Sequence, residues 1–179
     1  FAELVRPREA MLQFAEQRLV LADNPKEKLA QLFDHYIERN FVTKEYQERL
    51  LESTVRKLLF RGQLAAQYRP ERIITPDFTV NFPFVLMGDG KAQRIIKPLF
   101  LAQGDTTKIL NHGGQWVDKI RRLRKRNALP KDVLFPVTAP QMDAKAYGAF
   151  TEIRDDLVTI DVQVVSANDE NEILKFAAG

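Results

Sequence analysis

The sequence contains no cysteine, which excludes disulfide bonds and thiolate metal sites. It has only two histidines, His35 and His112, which argues against a metal site built mainly from histidine. No apolar run approaches the roughly 20 residues that a membrane-spanning helix requires. No secretory signal is recognised at Phe1 and the residues after it. These absences predict a cytoplasmic protein that binds no membrane and holds no cofactor.

The glycine and serine motifs of familiar enzyme classes are missing as well. The chain has no G-x-x-x-x-G-K-[ST] or G-x-G-x-x-G phosphate loop and no G-x-S-x-G nucleophile elbow. Gly88-Asp89-Gly90 lies between two apolar segments, so it predicts a hairpin turn instead. Charged residues make up 28% of the sequence and hydrophobic residues 45%, which is an ordinary globular composition.

The most informative feature that is present is a run of cations. Six of the eight residues from Lys119 to Arg126 are basic, although the whole chain carries a net charge of only +3. The six are Lys119, Arg121, Arg122, Arg124, Lys125 and Arg126. Trp116, Ile120 and Leu123 recur at helical spacing, so the run is predicted to form an amphipathic helix. We expect its cations to bind DNA or RNA phosphates, or an acidic protein partner. A solvated face neutralised by salt bridges within the molecule is the alternative.

Hydrophobic periodicity divides the chain into a helical part and a mixed part. Helices are predicted over residues 7–21, from Pro25 to about Ile37, and over residues 43–61. Residues 77–86 alternate polar and apolar as a strand does, and with residues 93–101 they predict an antiparallel hairpin. The remaining predictions are a helix from Thr106 or Thr107, a strand over 133–137, a helix over 145–157, a strand over 159–165 and a helix over 170–177.

This element order predicts an α+β or α/β fold. Residues 1–68 form its helical N-terminal part, and residues 69–179 form a ββαβαβ mixed sheet with packed helices. No Gly/Ser-rich linker separates the two parts, so a single shared core is left open.

The predicted hairpin also carries residues that point to a family. Pro76-Asp77 opens its first strand, Lys97 lies on its second, and a helix and a further strand follow. Over about residues 70–165 this arrangement resembles the PD-(D/E)XK nuclease fold, also called restriction-endonuclease-like. In that family two carboxylates hold Mg²⁺ and a lysine helps to activate water. The resemblance implies Asp77 and Lys97 as catalytic candidates.

One position departs from the family pattern. Ile95 stands where the second metal-binding carboxylate belongs, and its side chain cannot ligate a metal. Asp89 or Asp105 would have to replace it. Without functional roles, Pro76-Asp77 would be a strand-entry turn, Lys97 a solvated strand lysine, and His112 a turn or cap residue.

The leading hypothesis is therefore a non-catalytic protein with a degenerate nuclease-like domain, which binds nucleic acid or an acidic partner through its basic helix. The first alternative is an active Mg²⁺-dependent nuclease that uses Asp77 and Lys97. The second is a protein-interaction adaptor or antagonist in a bacterial or phage conflict system, a setting implied only by the resemblance. The oligomeric state is left open.

Overall fold

The structure, a computed structural model, describes residues 21–33, 43–140 and 144–179. The chain divides into two compact units, Phe1–Val42 and Thr43–Gly179. Helix α1 (Pro25–Phe33) belongs to the first unit. Its start is capped by Asn24, whose side chain accepts hydrogen bonds from two backbone amides of the first turn. Residues 7–20 and 34–37 of the predicted helices lie outside the described residues.

The second unit opens with helix α2 (Lys44–Arg61), whose ends match the prediction. The Thr43 side chain accepts a hydrogen bond from the Tyr46 amide, and the Gly62 amide donates to the Leu58 carbonyl. This helix packs on the sheet and belongs to the unit Thr43–Gly179. The division predicted near residue 68 therefore does not coincide with the boundary between the compact units.

A mixed sheet forms the middle of the second unit. Its elements are β1 (Tyr68–Ile74), β2 (Thr79–Gly88), β3 (Lys91–Ile96), β4 (Leu99–Phe100), α3 (Thr106–Lys125), β5 (Asp132–Thr138), α4 (Ala144–Thr159), β6 (Gln163–Ser166) and α5 (Glu170–Ala178). Strands β1, β2 and β3 form an antiparallel meander, while β5 is parallel to β3 and β4 on one side and to β6 on the other. The mixed sheet with packed helices confirms the predicted fold class.

The number and bounds of the strands differ from the prediction at three places. Strand β1 is additional, and it was missed because its Arg69-Pro70-Glu71-Arg72 stretch has no apolar alternation; it is an edge strand, where proline and charge are tolerated. The strand predicted over residues 93–101 is interrupted at Lys97-Pro98. The last strand starts at Gln163, because α4 continues to Thr159 and Asp161 then turns the chain with φ of 58°.

The alternation of β2 predicted a single apolar face, but the structure divides these residues between the two faces of the sheet. The residues expected together were Phe78, Val80, Phe82, Phe84 and Leu86. In the structure the first three pack into the core cluster on one face of the sheet, and the last two into the cluster on the other. The cause is a register shift in the β1–β2 ladder between Arg69 and Glu71, where β2 has one extra residue. Such a bulge moves every later side chain to the opposite face.

Helices cover both faces of the sheet. On one face α3 and α4 pack together, and the Trp116 ring of α3 lies 5.9 Å from the Phe82 ring and 5.8 Å from the Phe135 ring. On the other face α2 and α5 enclose a smaller cluster around Phe84 and Ile96. Within the described ranges, no helix has the length and apolar character needed to cross a bilayer.

The sheet opens beside the strand break at Lys97-Pro98. The β2–β3 ladder ends at the pair Phe84–Ile96, and beyond it β4 pairs with β5 and contacts α2. The first half of α2 thereby lies beside Lys97.

The close approach of α3 and α4 depends on Gly113. A Cβ atom added at Gly113 would lie 2.5–2.9 Å from three atoms of Ile153, whereas one added at Gly114 would have no neighbour within 4 Å. We predict that Gly113→Ala lowers the free energy of unfolding by roughly 1–3 kcal/mol through overpacking. The matched change Gly114→Ala should raise it by up to about 1 kcal/mol, because alanine favours the helix. Urea denaturation measures both, and equal stabilisation by the two changes would contradict this packing.

Candidate functional site

The way α3 packs on the sheet determines which of its cations are exposed. Its apolar seam is buried on the sheet side, including Ile109, Trp116, Ile120 and Leu123. The opposite side of its last turns faces solvent. Four of the six predicted cations are exposed there, namely Arg121, Arg122, Lys125 and Arg126, whereas Lys119 and Arg124 are half-buried.

Arg124 is used inside the protein. Its guanidinium donates hydrogen bonds to four backbone carbonyls, those of Pro130, Lys131, Ile160 and Asp161. These bonds join the turn that precedes β5 to the turn that precedes β6. Burial lowers the pKa of Arg124, and the nearby carboxylates of Asp161 and Asp132 partly offset that effect. Arg124 therefore holds two loops together and is not part of the exposed basic surface.

The other cations differ in how far they are neutralised. Arg126 pairs with Asp77 at 2.5 Å, with its guanidinium 5.3 Å from the centre of the Phe78 ring. Arg121 pairs with Asp118 at 3.2 Å. Both pairs are at the surface, where such interactions are weak and exchange readily. Arg122 and Lys125 have no acidic partner in the part of the chain that the structure describes.

The two catalytic candidates have different partners in the structure. The Asp77 carboxylate is bound to Arg126, while Lys97 is only 4% exposed and pairs with carboxylates of α2. No ion pair or hydrogen bond joins Asp77 to Lys97 among the described residues. Ile95 is fully buried in the core. The alternative of a solvated lysine at position 97 is wrong, because the opening in the sheet is closed over it by α2.

The two aspartates considered as replacements for Ile95 have other roles. Asp105 caps α3, because its side chain accepts hydrogen bonds from the amides of Thr107 and Lys108. Asp89 lies in the β2–β3 turn with a φ of 50°.

A partly buried polar cluster surrounds Lys97. Its ammonium group lies 3.0 Å from Glu52 Oε1 and 3.6 Å from Glu48 Oε2. The second oxygen of Glu48 lies 2.5 Å from Nε2 of His112. The Lys97 ammonium also lies 5.1 Å from the centre of the Trp116 ring. We call Glu48, Glu52, Lys97 and His112 the Lys97 cluster.

Sequence reasoning missed most of this cluster. His112 was expected at a turn or cap, which is wrong, because it lies within α3 and is 7% exposed. Neither Glu48 nor Glu52 was assigned to a site. Their spacing of four residues, continued by the buried Val55, places them on one helix face and was the available signal.

The electrostatics of the cluster favour an ionised Glu48. Burial by itself would raise the pKa of Glu48, but the hydrogen bond from His112 and the positive charge of Lys97 outweigh it, so the pKa is lowered. His112 Nδ1 is buried and, among the described residues, lacks a hydrogen-bond partner. Those residues also contain no group of three or more acidic, histidine or cysteine side chains arranged to hold a metal ion.

Comparison with protein-family models, with curated proteins and with solved structures finds no match. The resemblance to the PD-(D/E)XK nucleases therefore stays a prediction.

The role of Arg124 predicts a clear contrast with Arg122. Arg124→Gln loses charged hydrogen bonds to several carbonyls, so we expect the free energy of unfolding to fall by roughly 2–3 kcal/mol. Arg122→Gln changes an exposed side chain and should shift the free energy of unfolding by less than about 0.5 kcal/mol. Chemical denaturation compares the two. Equal stabilities would contradict an internal role for Arg124.

The Glu48 interactions predict a dependence of stability on pH. Because the pKa of Glu48 in the folded protein lies below its ordinary value of 4.5, its contribution to stability is present above that pH. It is lost as the pH falls through the folded-state pKa. We expect the free energy of unfolding of the wild type to fall more steeply below pH 4.5 than that of Glu48→Gln. Parallel curves in denaturation series from neutral to acid pH would contradict this.

Proposed function

We propose that this protein is a non-catalytic nucleic-acid-binding protein, and that the basic end of α3 contacts the phosphate backbone. The observation that carries the proposal is the exposed surface formed by Arg121, Arg122, Lys125 and Arg126. We call these four residues the basic surface. Phosphate contacts of this kind give binding that depends strongly on salt and little on base sequence.

The geometry of the basic surface supports this choice. Arg122 and Lys125 lie one helical turn apart on the same side of α3, with Arg121 adjoining them. The seam of α3 is fixed on the sheet by buried aromatic and aliphatic contacts, so the helix presents its cations from a rigid support. A rigid support reduces the entropy lost when side chains are immobilised on binding.

The chemistry of the cations favours phosphate over protein carboxylates. Three of the four are arginines, whose planar guanidinium presents paired donors to phosphate oxygens. The two existing ion pairs, Arg121–Asp118 and Arg126–Asp77, are exposed and cost little to exchange. An acidic protein partner is the competing outcome, and the experiment below separates the two.

Several observations support the non-catalytic part of the proposal. Asp77 and Lys97 have different partners, and Ile95 is buried where the family pattern requires a carboxylate. Nuclease activity with Mg²⁺ or Mn²⁺ that disappears in Asp77→Ala would overturn this part and favour the enzymatic alternative.

The proposal predicts a salt-dependent affinity that the basic surface controls. The wild type should retain duplex DNA or RNA of arbitrary sequence at about 50 mM salt, with binding that weakens steeply as salt rises. Arg122→Gln with Lys125→Gln removes two phosphate contacts and should flatten the plot of log K against log salt for duplex DNA by about 1.8. Fluorescence anisotropy with a labelled duplex measures both quantities.

The matched control removes two exposed lysines elsewhere. Lys91 lies at the β2–β3 turn and Lys108 in the first turn of α3, and both are exposed. Lys91→Gln with Lys108→Gln makes the same change in net charge and should leave the slope nearly unchanged. If both double variants lose affinity equally, binding reflects net charge and not this surface. No retention by the wild type, together with a co-purifying acidic protein, would favour the protein-partner alternative.

A further inference from the structure

The two halves of α2 are held to the rest of the unit in different ways. All of its fully buried residues, Val55, Leu58 and Leu59, lie in the second half. The first half is held beside the sheet by Glu48 and Glu52, through their ion pairs and hydrogen bonds in the Lys97 cluster. Between the halves, the Thr54 hydroxyl donates to the Leu50 carbonyl at 3.0 Å, a bond that often bends helices.

Lys97, the lysine that pairs with the first half of α2, shares the Trp116 ring with a second cation. The ammonium of Lys97 lies 5.1 Å from the centre of the Trp116 ring, and that of Lys119 lies 4.5 Å from the same centre. His112 Nε2 lies 2.5 Å from Glu48 Oε1, and the other carboxylate oxygen of Glu48 faces Lys97. Glu48 and Glu52 are the acidic residues that pair with Lys97 and His112 among the described residues. With the two glutamates removed, Lys97 and His112 would lose these acidic partners beside the Trp116 ring.

We propose that Lys97, His112 and Lys119 form a second phosphate-binding site, which Glu48 and Glu52 occupy until the first half of α2 moves aside. A carboxylate accepts the same charge-assisted hydrogen bonds from lysine and histidine as a phosphate does, so it fills the site in the absence of ligand. The proposal rests on the proposed function, because the phosphate would belong to the nucleic acid bound along α3.

Continuity with the basic surface supports this ligand. Lys119 and Arg122 are three residues apart on α3, so their side chains are neighbours on the helix. A nucleic-acid strand that contacts Arg122 therefore passes close to Lys119. A phosphate that enters the second site must displace two carboxylates from a buried lysine. The apparent affinity of the site is therefore its intrinsic affinity multiplied by the fraction of molecules in which α2 is open.

The test uses Glu48→Gln with Glu52→Gln in the full chain. Glutamine keeps the shape of each side chain and removes its charge, so the site is no longer neutralised. We expect two gains over the wild type: binding of inorganic phosphate, detected by calorimetry and by a rise in melting temperature, and a roughly tenfold higher affinity for duplex DNA. Adding Lys97→Gln should abolish both gains, whereas Lys97→Gln alone should change DNA affinity by less than about twofold.

Two controls separate this inference from general electrostatics and from the proposed function. Glu45→Gln with Glu172→Gln changes the net charge equally at exposed positions and should not create phosphate binding. Adding Arg122→Gln and Lys125→Gln to the Glu48→Gln, Glu52→Gln variant should leave phosphate binding intact while DNA affinity falls. The phosphate measurement therefore reports on the second site even if the wild type binds no nucleic acid.

If the double variant does not fold, Glu52→Gln alone gives the test. It removes the nearer partner of Lys97 and leaves the bond between Glu48 and His112 in place. No gain in phosphate binding over the exposed control overturns the proposal. So does a gain that survives Lys97→Gln.

Discussion

The structure depends first on the contact between the apolar seam of α3 and the sheet. Helix α3 connects β4 to the parallel strand β5, so it has to cross the face of the sheet, and it does so by burying Trp116, Ile120 and Leu123. That burial fixes which side of the helix is left for solvent. Four of the cations of its last turns face outward for the same reason. The exceptions are Lys119, whose ammonium lies against the Trp116 ring, and Arg124, which reaches the carbonyls of two adjacent loops.

A second constraint is the charge of Lys97 inside the protein. A buried ammonium has to be paired, and removing one partner of a buried pair typically costs about 3–5 kcal/mol. The break at Lys97-Pro98 and the divergence of β2 leave an opening, through which α2 supplies Glu48 and Glu52. The position of α2 is thus set by electrostatics in its first half and by apolar packing in its second. This difference makes the first half of α2 the part that a competing anion could displace.

The sequence predicted the regular elements well where periodicity and capping agree. Thr43 and Gly62 bound α2, because this side chain and the glycine satisfy helix ends in ways that are readable locally. The start of α3, predicted at Thr106 or Thr107, lies at Thr106. The bulge in β2 was not predictable, because it depends on the register of β1, and the sequence of β1 lacks the apolar alternation that would identify it as a strand.

The same limit applies to the candidate site. The run of cations was visible, but the internal role of Arg124 depends on carbonyls more than 35 residues away. The Lys97 cluster likewise joins three segments that are far apart in the chain.

The central claim is that the exposed cations of α3 meet phosphates while Arg124 remains internal. The most direct measurement is an NMR titration of arginine side-chain Nε–Hε signals with a short duplex DNA. The account predicts that the signals of Arg121, Arg122 and Arg126 shift together as the duplex is added, while the signal of Arg124 stays in place. Unchanged signals for all of them, or a shift confined to arginines outside α3, would contradict it.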